Sequence, residues 1–216
     1  MAFKIKDPVS GLSHLFGVIL SIVGLVFLII TSVIKGSVWH TVSYSIFGAS
    51  LILLYTASSL YHLLPLKQNI TMILKRIDHI MIFILIAGTY TPICLVPLRG
   101  PWGWSLFGCV WGIALLGLIM KIFWINAPRW FSTVLYVFMG WLIIIALLPL
   151  IKVIPPSGMA WLVAGGVFYT IGALIYGIKR PNITRYFGFH ELFHFFVLAG
   201  SFSHYWLMYR FLILLH

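Results

Sequence analysis

The sequence predicts an all-α integral membrane protein, a single bundle of seven transmembrane helices with the N-terminus cytoplasmic and the C-terminus outside. Three observations predict it. Of the 216 residues, 62% are hydrophobic and 8% charged, and the mean hydropathy of +1.10 lies far outside the soluble globular range. Seven apolar stretches are each long enough to cross a hydrocarbon core of about 30 Å, which takes roughly 20 helical residues. The basic residues also divide unevenly: counted on alternate sides, ten of the 14 Lys and Arg share the side of the N-terminus. By the positive-inside rule that side is the cytoplasm.

The first span, residues 12–34, follows Lys4 and Lys6. It is too long for a signal-peptide core and has no A-x-A cleavage site, so it is expected to stay as a helix. The second, 39–64, starts at Trp39 and ends in "SSLYH"; the third, 70–96, carries "RIDH" in its first turns. Trp102, Trp104 and Trp124 flank the fourth, 102–123, while Trp130 opens the fifth, 130–153, and Trp161 lies near the start of the sixth, 159–178. Indole rings at span ends suit the headgroup region. The seventh, 187–215, opens on "HELFH". Connections are short, and no repeat, linker or low-complexity tract divides the chain, so residues 1–216 are expected to form one domain. The net charge of +11 is spread among the connections rather than gathered on a face, which argues against a nucleic-acid partner. Cys94 and Cys109 read as small buried apolar residues rather than a disulfide.

Function is sought among the polar residues that the bilayer does not require. An ionisable group at the membrane centre costs at least ~2.5 kcal/mol and is by default a functional candidate. The chain has three acids, Asp7, Asp78 and Glu191. Helices that alternate in direction bring the end of the second span and the starts of the first, third and seventh to the cytoplasmic side. Ser58 and His62 share a face at i and i+4, as do His190 and His194. Three segments far apart in sequence thus deliver His62, Asp78, His190 and His194 to one depth. Three imidazoles and a carboxylate are what a catalytic zinc needs: three ligands, an open position and a base.

Other roles compete for these residues. Asp78 and Glu191 both lie near helix starts, where a carboxylate complements the helix dipole, and Glu191 is turned about 100° from His190. Ser58 can bond back to its own helix. His14 is expected in the second shell, as a hydrogen-bond partner of the site. His79 is expected to point away from Asp78 and pack at the interface. His204 lies about 15 Å beyond His194 by helix rise, too far for the same metal. His40 and His216 read as loop or terminal residues without a nameable partner.

Together "LSHLFG", "SSLYH", "RIDH", "AGTYTP" and "HELFH", spread over seven spans, resemble the hemolysin III family, the bacterial branch of the progestin and adipoQ receptors. The resemblance covers essentially the whole chain. It implies a zinc ion held by His62, His190 and His194, with Asp78 and Ser58 beside the metal-bound water. Since alkaline ceramidases share the layout and adiponectin receptors are associated with ceramide hydrolysis, it also implies a metal-dependent hydrolase of a membrane lipid amide or ester, acting in membrane lipid homeostasis. The chain lacks the long N-terminal region of the animal receptors, so partners recognised through that region are not expected. Two readings stand beside the hydrolase: a receptor or pore-forming, haemolytic protein whose zinc is structural, and a metalloprotease with Glu191 as base. The protease is disfavoured because no acid follows residue 194.

Overall fold

The computed structural model describes residues 6–124, 127–184 and 187–215; Lys4 and Arg185 of the charge count, and His216, lie outside them. The described residues form an all-helical bundle: α1 (Pro8–Lys35), α2 (Val38–Leu63), α3 (Gln68–Leu95), α4 (Pro101–Phe123), α5 (Arg129–Val153), α6 (Pro156–Ile178) and α7 (Phe189–Arg210). The first six start slightly ahead of the apolar runs that mark them. Three of these do so on a proline, Pro8, Pro101 and Pro156, whose fixed φ and missing N–H suit the first helical position. The last helix is shorter than its apolar run, ending at Arg210 before a 3₁₀ turn over Leu212–Leu214.

Five of these helices, α1, α2, α4, α5 and α6, are long and apolar enough to cross a membrane. Their outward faces carry large apolar side chains, and the inward face of α1 is mostly small or polar. On α1, Phe16, Ile19, Val23 and Phe27 are exposed, whereas Ser10, His14, Gly17, Ser21, Leu28 and Ser32 are buried at the three- and four-residue intervals of one helix face. Small residues at helix contacts and apolar ones outside fit lipid as the surrounding solvent.

Contacts run from α1 to α2 and α7, from α2 to α3, from α3 to α4 and α5, and from α5 through α6 to α7. This closes a ring of α1, α2, α3, α5, α6 and α7, with α4 packed against α3. Hydroxyls tie the ring together. Tyr44 donates to the Met208 carbonyl at 2.8 Å, and Ser201 of α7 pairs with Tyr55 of α2 at 2.6 Å and Tyr169 of α6 at 2.9 Å.

α5 departs from the continuous helix expected. A 3₁₀ stretch, Leu142–Ala146, interrupts it. Backbone groups freed inside a membrane need partners from the protein, and Tyr90 of α3 supplies them. Its hydroxyl is shared between the carbonyls of Met139 and Gly140, at 3.0 and 2.7 Å, and accepts the Ile143 N–H at 2.8 Å.

Two further expectations are corrected. His40 is not a loop residue: it is buried in the first turn of α2, where Nδ1 accepts the Ser37 N–H at 3.1 Å and Nε2 bonds the Leu212 carbonyl at 3.0 Å. Cys94 and Cys109 are both free, but only Cys94 is buried; Cys109 faces outward from α4.

The turn from α3 into α4 is the tightest backbone approach. A Cβ on Gly103 would fall 2.1 Å from the Cys94 carbonyl oxygen and 2.5 Å from that of Leu98, and backbone yields less readily than a side chain. Gly103→Ala is expected to cost about 1–3 kcal/mol and lower the thermal midpoint in detergent. Gly108→Ala on the same helix, with nothing within 4 Å, should leave it unchanged or raise it.

Candidate metal centre

Three imidazoles meet where α2 ends and α7 begins. The ring centroids of His62, His190 and His194 are 4.8, 5.1 and 4.7 Å apart, and one nitrogen from each lies within 4.8 Å of the other two. The Nε2 atoms of His62 and His190 are 3.1 Å apart. Two ligands at 2.0–2.1 Å from a tetrahedral zinc are separated by about 3.3–3.4 Å, so this pair already stands close to the edge of such a polyhedron.

The other ring nitrogens are held in a way that frees the converging ones. His62 Nδ1 lies 3.1 Å from Asp7 Oδ2, and His194 Nδ1 lies 3.1 Å from the Ser10 carbonyl oxygen. Both partners are acceptors, so each fixes the proton on Nδ1 and leaves the Nε2 lone pair free for a cation. Carboxylate or carbonyl behind a histidine is the usual second shell of a metal site. The donor set therefore fits a divalent metal, and its imidazole nitrogens suit zinc among others.

His14 meets the site differently from what the sequence suggests. Its ring stacks on His194, centroids 3.7 Å apart and planes 13° from parallel, and neither ring nitrogen makes a hydrogen bond. The contact is packing rather than hydrogen bonding, because Ser10 one turn earlier on α1 already occupies His194 Nδ1. Glu191 is engaged on both oxygens. Oε1 accepts from the Ser10 hydroxyl at 2.7 Å and Oε2 from the Gly188 N–H at 2.9 Å, which is a helix-start role rather than that of a base. The bridge between Asn182 and Gly188 anchors the chain just before this turn.

Asp78 and Ser58 line a cavity of about 810 Å³ together with His14, His190 and His194. Ser58 and Asp78 are neighbours on the cavity wall. His79, expected to turn away, lines the same cavity, and its carbonyl accepts from Tyr136 at 3.0 Å. The cavity follows α3 from Lys75 to Ile93, about 27 Å at 1.5 Å per residue. Beyond the polar end its walls are mainly Leu, Ile and Val, and His204 lies at depth among them. Ile144 and Leu147 of α5 and Val163 of α6 both line the cavity and are exposed on the outer surface, so it adjoins the lipid-facing side between these two helices.

Sequence reasoning missed Asp7 and Ser10. The available signal was scarcity, since Asp7 is one of three acids in the chain, but nothing in spacing ties residue 7 to residue 62. Asp7→Asn removes the charge behind His62 while keeping its shape. Metal affinity is expected to fall by about 10- to 100-fold in a chelator competition, whereas Cys94→Ala, remote from the site, should leave it unchanged.

Known proteins share this sequence pattern. A family model described as "Haemolysin-III related" matches residues 3–205. A hemolysin-3 homolog of Bacillus subtilis (strain 168) is 43% identical over 200 residues, covering 92% of this chain and 91% of its own. Hemolysin-3 of Bacillus cereus is 37% identical over 199 residues, covering 92% and 88%. The monocyte to macrophage differentiation factor of Homo sapiens is 22% identical over 204 residues, covering 93% and 82%.

Proposed function

The chain belongs to the haemolysin-III-related family, and from that premise we propose that it is a zinc-dependent hydrolase of a lipid amide or ester bond, embedded in the cell membrane and, in a bacterium, in the inner membrane. The observation that carries the reading is the union of three converging imidazoles, the metal-ligand group among the described residues, with a long and mainly apolar cavity. Three protein ligands leave a position for chemistry, where a structural zinc would have four.

All seven helices cross the bilayer in this reading. α3 and α7 have 28 and 22 residues, about 42 and 33 Å, enough for the hydrocarbon core, and their polar residues face the ring interior. The basic ends support a cytoplasmic N-terminus, with the metal centre on the same side. A protease-cleavable tag on the N-terminus should be protected in intact cells and one on the C-terminus cleaved; the reverse pattern would reject this orientation.

His62, His190 and His194 hold the metal in this scheme. Zinc there supplies Lewis acidity, polarising a carbonyl and lowering the pKa of water toward about 7. The Asp78 carboxylate accepts the proton of the attacking water and returns it to the leaving amine or alcohol. Ser58, beside it on the cavity wall, orients the water or the substrate. The apolar walls bind the acyl chain, which arrives sideways between α5 and α6, and exclude water from the reacting carbonyl.

With ceramides and other acylated lipids as substrates, Asp78→Asn is expected to lower kcat by about 10²–10⁴-fold, and His190→Ala with His194→Ala to abolish turnover together with metal content. Glu191→Gln, whose carboxylate is committed to Ser10 and Gly188, should retain turnover where the protein folds. Activity that survives Asp78→Asn but not Glu191→Gln would overturn the assignment. The names of the Bacillus relatives favour a second reading, membrane lysis, which predicts solute leakage from liposomes containing the protein.

A further inference from the structure

Lys121, on the last turn of α4, is 2% exposed and lines the cavity. Its ammonium makes one hydrogen bond, to the Ser132 hydroxyl at 2.6 Å, and no carboxylate pairs with it among the described residues, where both ion pairs involve Asp7. An ammonium has three donors, and a buried charge is ordinarily paired. Three more cations line the same end: Lys75 of α3, half-buried, and Arg129 and Lys179 at the rim of α5 and α6. The one acid on the cavity wall is Asp78.

Basic residues on the cytoplasmic ends of helices are a topology signal, but that signal asks only for charge near the membrane. It does not require that an ammonium be buried against a hydroxyl inside a cavity. From this placement we propose that the cationic end binds the anionic, phosphate-type headgroup of an acylated lipid whose tail fills the apolar length of the cavity. The proposal rests on the hydrolase reading for the chemistry after binding and deepens it by naming a charged rather than neutral class of substrate.

The geometry places such a headgroup beside the chemistry. Lys75 precedes Asp78 by one turn on the same face of α3. The Arg129 guanidinium lies 4.9 Å above the Tyr176 ring, which also packs against His190 at 5.8 Å. Arg129 is therefore one aromatic ring away from the imidazole triad, so a headgroup held at this end would lie beside the candidate metal ligands.

The test is binding of hexadecyl phosphate, hexadecanol and inorganic phosphate to the purified full chain, with and without zinc. Hexadecyl phosphate is expected to bind at least about tenfold more tightly than hexadecanol, the effect of one charge-assisted hydrogen bond. Lys121→Met and Arg129→Gln should each erode that preference without weakening hexadecanol, and Lys121→Arg should keep most of it. Equal affinity for the two amphiphiles, or a preference untouched by both neutralising variants, overturns the proposal. So does inorganic phosphate that binds as tightly as hexadecyl phosphate, which would mark a free-phosphate site. Arg129 is exposed, so its variant decides the matter where Lys121→Met fails to fold. Because neither amphiphile carries an amide or ester to cleave, an intact headgroup preference in a protein without turnover retires the hydrolase reading alone.

Discussion

The first turn of α1 holds the two ligand-bearing helices in register, and the centre depends on it. The Asp7 N–H donates to the His62 carbonyl at 2.9 Å while the Asp7 carboxylate takes His62 Nδ1. Ser10, one turn on, gives its hydroxyl to Glu191 and its carbonyl to His194 Nδ1. The His62 carbonyl is among those that the end of α2 leaves without an intrahelical partner, and Gly188 stands where α7 begins. The same short stretch of α1 that ties down two helix ends thus also orients two imidazoles. Site geometry and helix packing are one constraint.

This explains why part of the centre was legible in the sequence and part was not. His62, His190 and His194 could be found because helical periodicity and alternating helix direction are properties of the chain itself, so a shared depth follows from counting. Asp7 could not, because its bond to His62 spans 55 residues and depends on how α1 leans on α2. Glu191 shows the reverse error that spelling invites: within "HELFH" it looks like a general base, yet one oxygen is spent on joining α1 to α7 and the other on capping α7 itself. Lys121 was legible only as one basic residue among many, since burial is decided by α5 packing across it. The seven apolar runs located the helices to within a few residues, but the break over Leu142–Ala146 went unread, although Pro149 lacks the N–H that would bond the Ile145 carbonyl four residues back. It is permitted by Tyr90, a partner supplied from another helix.

Small residues set how the ring closes around its cavity. Gly17 brings α1 onto Tyr55 and Leu198, Gly165 lets His204 lie against α6, and Gly200 receives Tyr169. Close approach on the α1, α2 and α7 side contrasts with the opposite side, where α5 meets α3 and α6 through large side chains such as Tyr136 against Phe83, 4.6 Å between rings, and Trp141 bonded to Thr170 at 2.9 Å. Small residues on one side draw the helices together, and large ones on the other hold them apart. The space left over is the cavity, and one end of it reaches the seam where the imidazoles sit.

The charge at this pole carries one further consequence. All three acids of the chain are at the same end of the bundle: Asp7 bonded to His62, Glu191 to two helix starts, and Asp78 on the cavity wall. The cations around them outnumber them, and a divalent metal on three neutral imidazoles adds to the excess. Repulsion among buried or half-buried charges is screened less than on an open surface, so the protein alone cannot balance this end once the metal is in place. Counter-charge has to come from the ligand or from the bilayer surface. A neutral lipid would leave Lys121 with a hydroxyl as its sole partner, whereas an anionic headgroup would complete its shell and offset the metal's charge at the same point.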